Sequence, residues 1–257
     1  MSDSKNITVS IVLYNEDLAE LQKAISSALS IERLKKLYLI DNSPTNIIEK
    51  EFKNKNIEYL FVEKNIGFGA GHNLVLKYIQ NNSDYHLILN PDTNFDPKII
   101  NELVSELEAN NELSLIAPRV FFPNGKIQNS CRRYPKLSEM LFRRLPFINK
   151  SSNPLIKKGI YGDLDLTKTQ YVDYLTGCFY LFKTKDLLQL KGFDVRYFLY
   201  MEDVDICKKI DKLGKKKAYY PHVSIEHVLK QRSATDLKLF LRHVLSMIKY
   251  FMKWGFK

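Results

Sequence analysis

The stretch Leu87-Ile88-Leu89-Asn90-Pro91-Asp92-Thr93 decides how this chain is read. An apolar run stops at a proline-fixed turn, and one carboxylate, Asp92, stands at its tip. An open α/β sheet places its ligand crevice at the carboxyl ends of its strands. A lone carboxylate there is a natural ligand for a divalent cation bound to phosphates. Asp92 also suits the cap of a helix beginning near Pro97. On this stretch alone both readings stand.

Outward from it, strands alternate with helices. Ile7 to Leu13 is a β-branched apolar run and reads as a strand. Asp17 to Leu29 carries Leu18, Leu21, Ala24, Ile25 and Ala28 at helical spacing. Leu37 to Ile40 is a second strand, ended by the turn signal Asp41-Asn42-Ser43-Pro44, with a helix expected from there to about Lys53. Ile57 to Val62 is a third strand, Gly67 to Gly71 a glycine-rich turn, and Asn73 to Ile79 a helix. Tyr85 to Leu89 is a fourth strand, and Pro97 to Asn110 a helix. This alternation implies an α/β fold with a parallel, doubly wound sheet. Farther on, residues 119–170 show no clear period and read as loop. A strand at Thr176 to Lys183, helices at Thr184 to Leu190 and Glu202 to Leu213, and a strand at Lys217 to Tyr220 follow. Residues 235–254 form a last helix with Leu237, Phe240, Leu241, Val244, Leu245, Ile248, Phe251 and Met252 on one face.

The 257 residues suffice for one large domain, and 45% hydrophobic content suffices for a core. No apolar run is long enough to span a membrane, and the polar N-terminus lacks a secretory signal. Three widely spaced cysteines, Cys131, Cys178 and Cys207, argue against a disulfide framework or a cysteine zinc site and suit a reducing cytoplasm. The net charge of +10 is uneven: residues 1–100 sum to −2 and residues 101–257 to +12. Such a field attracts nucleic acid, an anionic membrane or phosphorylated substrates. Nucleic acid is set aside as a partner, because no reading motif or stacking platform accompanies the basic residues.

Five features at strand ends or turns carry candidate chemistry. They are Tyr14-Asn15-Glu16, Asp41-Asn42-Ser43, Asn65 to Asn73, Asn90-Pro91-Asp92, and Tyr200 to Asp205. Asp41 can accept the imide N–H of a uracil or thymine ring, or simply form an Asx turn. Glycines in Asn65-Ile66-Gly67-Phe68-Gly69-Ala70-Gly71-His72-Asn73 permit close backbone approach to a ligand, or only a tight turn. It is not a dinucleotide fingerprint, since His72 stands where that pattern needs glycine. Glu202, Asp203 and Asp205 crowd three carboxylates into one helical turn. They complement the helix dipole, or one of them is a general base. His227 is a structural residue or an extra ligand beside an Asp-bound cation. Cys178 reads as a buried hydrophobe.

In order and spacing these features resemble the inverting family-2 glycosyltransferases with a GT-A fold. The matching segments are Val9 to Asn15, Ile40 to Ser43, Asn65 to Asn73, Leu89 to Thr93, Gly177-Cys178-Phe179, and Gly192-Phe193-Asp194 through Asp205. Within that family the chain looks most like bacterial rhamnosyltransferases of O-antigen and cell-wall polysaccharide synthesis. The resemblance implies a Rossmann-like nucleotide-binding parallel sheet flanked by helices, a mixed acceptor-side sheet and a C-terminal helix. It implies a single domain over 1–230, with a donor half at about 1–118 and an acceptor half at about 119–230. Residues 231–257 then form a basic amphipathic extension.

The implied donor site comprises Tyr14, Asn15, Asp41, Asn42, Asn65, Gly67, Phe68, Gly69, Asn73, Asn90 and Asp92. Asp92 matches the last residue of the family's Asp-x-Asp motif and is the implied ligand of Mg2+ or Mn2+, with His227. This sequence departs from that motif at Asn90, which removes one charged ligand. Asp203 matches the presumed catalytic base, with Glu202 and Asp205 as alternatives. Arg132 and Arg133, and Arg143 and Arg144 beyond them, are candidate contacts to acceptor or phosphate. The implied donor is dTDP-L-rhamnose, with a UDP-sugar such as UDP-galactose or UDP-N-acetylglucosamine as the alternative. The implied acceptor is a glycan or a polyprenyl-diphosphate-linked saccharide, at an anionic membrane surface on the cytoplasmic side. A non-catalytic scaffold of the same fold is the remaining alternative, and it would tolerate Asp203→Asn.

Overall fold

The computed structural model describes residues 5–137, 153–229 and 237–256. The first strands form as their apolar runs dictate: β1 (Ile7–Leu13), β2 (Leu34–Asp41), β3 (Ile57–Phe61) and β4 (Tyr85–Leu89). Every residue of β1 and of β4 is buried, as expected for central parallel strands covered on both faces. Helix α1 (Leu18–Leu29) starts where the Asp17 side chain accepts the Ala19 and Glu20 amides. It packs Leu21, Ala24, Ile25 and Ala28 against one sheet face. Short helices α2 (Phe68–Asn73) and α3 (Leu76–Ile79) lead into β4, and β5 (Thr93–Asn94) and α4 (Ile99–Ala109) follow it. The helix expected after Pro44 is only a 3-10 turn at Glu49–Glu51, with no buried residue to hold a longer one.

Strand β6 (Leu113–Phe121) is one that the sequence pattern did not expose. Next come β7 (Cys131–Arg132), α5 (Pro154–Gly159), β8 (Gln170–Tyr171), β9 (Tyr174–Leu175) and β10 (Phe179–Lys183). Helix α6 (Thr184–Gln189), helix α7 (Glu202–Lys212), β11 (Lys216–His227) and helix α8 (Leu237–Trp254) complete the described chain. So the stretch 119–170, read as loop, carries ordered elements among its described residues. Arg143 and Arg144 lie outside the described residues.

The main sheet runs β3-β2-β1-β4-β10-β6-β11-β5, with β8 beside β11. Strands β3, β2, β1 and β4 are parallel, as expected. Strand β10 enters antiparallel to both β4 and β6, which makes the second half mixed. The proposed boundary between halves at 118/119 falls inside β6. That strand pairs in parallel with β11, whose register shifts between Tyr220 and Ser224. Pro118 faces Tyr220 there, and Pro221 follows. Two prolines lack the N–H groups that a regular ladder needs, so the register breaks at this point and β11 resumes beyond it. This continuation, missed in sequence, carries the chain to His227.

No helix among the described residues is long and apolar enough to cross a membrane. Helix α8 meets the body through Ser246 and through Tyr250 and Phe251, and the two aromatics join Tyr197, Met201 and Val204 in a small apolar cluster. Most of the apolar stripe turns outward. Leu237 is 70% exposed and Met252 74%, with Leu241, Leu245 and Ile248 exposed between them.

Candidate active site

The carboxyl ends of β1, β2 and β4 open onto a cleft of about 610 Å³. Tyr14, Asn42, Asn65, Gly67, Phe68, Asn90 and Asp92 line it, opposite Phe198, Tyr200 and residues of α8. A second compartment of about 420 Å³ adjoins it, lined by Arg132, Thr176, Gly177, Glu202 and Asp203. Phe68, Asn90, Leu199, Tyr200, His227 and Leu229 line both. Asp92 and Asp203 therefore face neighbouring parts of one cleft.

Asp92 does not cap the next helix. Strand β5 intervenes, and Asp96 is the residue whose carboxylate accepts the Lys98 amide near that helix start. The pairing of Thr93 with His227 brings the two strand ends together. His227 Nε2 lies 3.3 Å from Asp92 Oδ1 and 3.2 Å from Asn90 Nδ2. Behind the ring, the Gln128 amide NH2 donates to the His227 and Phe121 carbonyls. Its Oε1 is thereby aimed at His227 Nδ1, 3.1 Å away. An Nδ1–H held this way leaves Nε2 facing Asp92, the arrangement of a metal-binding histidine with its supporting acceptor. Burial works against an imidazolium at His227, but the Cys178 sulfur and the Asp92 carboxylate outweigh it and raise its pKa to about 10. A cation binding here would displace that proton.

The pair would suit an open divalent-cation site, leaving positions for ligands from a bound substrate. Among the described residues, no group of three or more His, Cys, Asp or Glu side chains gathers as a closed structural site.

Asp203 stands at the start of α7, one turn of which is fixed by an unusual entry. Tyr200 and Met201 both have left-handed backbone, with φ of 67° and 68°. Asp203 Oδ1 accepts the Val204 amide at 2.8 Å. Gly177 faces it, with room for little more than a Cβ. Burial raises the Asp203 carboxyl above the ordinary range, against the Val204 amide and Arg132. Burial and the Asp203 charge raise Glu202 as well, and its Oε2 has no partner. Two neighbouring acids with raised pKa values in a cleft form a proton-accepting pair suited to general base work.

The family model for Glycosyl transferase family 2 matches residues 8–182. The chain belongs to glycosyl transferase family 2. Among curated relatives of this glycosyltransferase, Rhamnosyltransferase WbbL of Escherichia coli (strain K12) is 28% identical over 192 residues, 72% of this chain and 69% of that one. The N-acetylglucosaminyl-diphospho-decaprenol L-rhamnosyltransferase of Mycobacterium tuberculosis (strain CDC 1551 / Oshkosh) is 26% identical over 215 residues, 79% of this chain and 69% of that one. The fold is GT-A. The crystal structure of GalNAc-T7 with UDP, GalNAc and Mn2+ superposes with a TM-score of 0.67 at 14% identity, over 88% of this chain and 43% of that one. The mannosyltransferase PcManGT from Pyrobaculum calidifontis, in complex with GDP-Man and Mn2+, gives 0.61 at 15%, over 97% and 64%. The chain thus spans less than half of the first structure and under two thirds of the second.

Several residues of the expected donor site serve the scaffold of this glycosyltransferase instead. The Asn73 amide clasps the Phe193 backbone, accepting its N–H and donating to its carbonyl, both at 2.8 Å. Gly69 and Gly71 lie where a Cβ would collide with Phe193 and Val12, so they serve packing between helix and neighbours. The Phe68 amide is taken by the Phe198 carbonyl and the Gly71 amide by the Gly67 carbonyl, so neither is open to an anion. Only Gly67 of the three glycines lines the cleft, with φ of 94°. His72 turns inward to Ser10, and burial lowers its pKa, so it is neutral.

Asp41 is fully buried below the cleft and accepts from the Ser43 amide and the Tyr59 hydroxyl. Its neighbour Asn42 reaches the lining, donates to the Gly67 carbonyl and keeps Oδ1 unpartnered. Asn15 contributes its amide to Ser43 Oγ rather than a side chain to the lining.

On the acceptor side, Arg132 lines the second compartment, placed by the β7–β9 pair. Arg133 is turned away into a bidentate pair with Asp163. Asp205 is buried beneath α8, where Lys253, Trp254 and Tyr197 all donate to its Oδ1, and it lines neither compartment. Gln128, Lys238 and Arg242 were not singled out in sequence. Gln128 sits 99 residues from His227, and the two cations belong to a helix with no motif of its own.

Proposed function

We propose that this chain is an inverting, divalent-metal-dependent rhamnosyltransferase. It moves L-rhamnose from dTDP-L-rhamnose onto a hydroxyl of a lipid-diphosphate-linked saccharide in surface polysaccharide synthesis. The observation that carries this reading is the single cleft in which Asp92 with His227 and Asp203 with Glu202 face adjoining compartments. Two rhamnosyltransferases among the relatives support the sugar. The name of the mycobacterial one supports a diphospho-polyprenol acceptor.

The chain's own groups divide the work. Asn42, which borders the cleft, meets the base edge, and Asp41 supports that turn. Thymine and uracil share the imide N–H, so UDP-sugars belong in every donor comparison. Gly67, Asn65 and Asn90 border the ribose and diphosphate. A divalent cation held by Asp92 and His227 would neutralise charge growing on the leaving diphosphate. Asp203 removes the acceptor proton as the acceptor oxygen attacks in line, so that one displacement inverts the anomeric centre. Glu202 keeps the second proton of the acidic pair, and Arg132 meets the acceptor's phosphate.

The exposed apolar stripe of α8, with Lys249 on the same helix, supports docking on an anionic membrane. Nothing acidic lies within α8 to oppose it. Mass-spectrometric and NMR product analysis tests the reading, with dTDP-L-rhamnose, UDP-galactose and UDP-N-acetylglucosamine offered with lipid-linked acceptors. Rhamnosyl product of inverted configuration is expected. Transfer from a UDP-sugar alone would overturn the donor assignment.

A further inference from the structure

The donor compartment is short of positive charge for the ligand it is meant to hold. Its described lining carries the carboxylates of Glu16 and Asp92. A nucleoside diphosphate adds at least two further negative charges. Apart from His227, the cationic side chains in that lining are Lys238 and Arg242, both on α8. They stand four residues apart, and so share one face of the helix.

The same helix turns Leu237, Leu241 and Leu245 to solvent, while Lys238, Leu239 and Arg242 border the cleft. The Arg242 guanidinium carbon lies 3.9 Å from the centroid of the Phe198 ring. Stacking of this kind restrains the planar fork and leaves its N–H edges able to hydrogen-bond phosphate oxygens. Phe198 is itself anchored beside Gly67, since its carbonyl accepts the Phe68 amide at 3.2 Å. The helix is fixed farther along by Ser246 donating to the Leu199 carbonyl and by Lys253 and Trp254 on Asp205.

We propose that Lys238 and Arg242 form a cationic clamp on the donor diphosphate, closing the cleft from the side opposite Asp92. This deepens the glycosyltransferase reading above and rests on it. The clamp holds the phosphates of the donor and of the departing nucleoside diphosphate alike. It also gives the C-terminal helix a role in donor binding that its amphipathic pattern does not reveal.

Calorimetric titration of the full chain in Mn2+ with dTDP, dTMP, UDP and UMP tests it. The wild type is expected to prefer a diphosphate over its monophosphate. The Lys238→Ala, Arg242→Ala double variant is expected to lose on the order of tenfold or more of that preference, with monophosphate affinity unchanged. The swap Lys238→Arg with Arg242→Lys keeps both charges and should restore part of it. Lys249→Ala removes a charge from the same helix outside the cleft and should keep all of it. A double variant that retains the wild-type preference, or that loses only vesicle binding, overturns the clamp alone. A wild type that binds none of the four nucleotides overturns the donor site beneath it.

Discussion

The two walls of the cleft are built in different ways. One wall is the edge of the sheet: Asn42, Asn90 and Asp92 come just after strand ends whose residues are buried. The other wall, Phe198 to Asp203 with α8, rests on tertiary contacts between distant segments. It includes two residues in left-handed backbone, a conformation that persists only where surroundings enforce it. The sheet wall is a consequence of local sequence. The helical wall is a consequence of docking, and its geometry should be the more easily lost.

The largest effect should come from cutting that docking. Asp205→Ala leaves Lys253 and Trp254 without their shared acceptor, and should cost about 3 kcal/mol of stability. Chemical denaturation measures this, and a loss under about 1 kcal/mol would mean that α8 is held by other contacts. Next, Asp203→Asn should lower turnover by roughly 10² or more while donor affinity stays near wild type. Turnover within a few-fold of wild type would move the base to Glu202.

On the sheet wall, Gln128→Ala should weaken Mn2+-dependent nucleotide binding by roughly tenfold or more, as removal of a supporting acceptor does. Unchanged Mn2+ dependence would separate Gln128 and His227 from the ion. The smallest effect expected is Leu241→Glu with Leu245→Glu. These positions are exposed, so stability should change by no more than about 0.5 kcal/mol, while binding to anionic vesicles falls. Equal vesicle binding would assign the stripe to something other than lipid.

The acidic pair sharpens the comparison through pH. Both carboxyls are raised, Asp203 chiefly by burial and Glu202 by burial and the charge of Asp203. A base must be deprotonated to act, so the acid limb of kcat/KM should lie above the ordinary carboxylate range. A raised folded pKa means that the folded state holds its proton longer than the unfolded chain. Stability therefore falls as pH climbs from the unfolded value through the folded one. Asp203→Asn escapes that penalty, and its Tm relative to wild type should rise with pH. A gap that stays constant across the range would show Asp203 to be an ordinary exposed acid.

The same contrast explains what the sequence disclosed. Asp92, Asn42, Asn65 and Gly67 lie beside strand-ending turns, where an apolar run and its punctuation are visible in a few residues. Asp203 was legible through its acidic helix start. Asn73 was misread because its partner, the Phe193 backbone, is 120 residues away. Arg133 was misread because Asp163 consumes its guanidinium. Strand β6 was missed because Pro118 interrupts its pattern, and the proline matters less than expected because the register of β11 breaks opposite it. The amphipathic stripe of α8 was legible, but the face by which the helix docks was not, because it is built from Ser246, Tyr250 and Phe251, a mixed set that no apolar count singles out.

The central claim is that Asp92 on the sheet wall serves donor binding, while Asp203 on the other wall activates the acceptor. Separate measurement of donor Kd and of kcat in Asp92→Ala and Asp203→Asn tests it most directly. The account predicts that Asp92→Ala weakens Mn2+-dependent donor binding, whereas Asp203→Asn leaves Kd alone and removes turnover. Two variants that change Kd and kcat in the same proportions would contradict it.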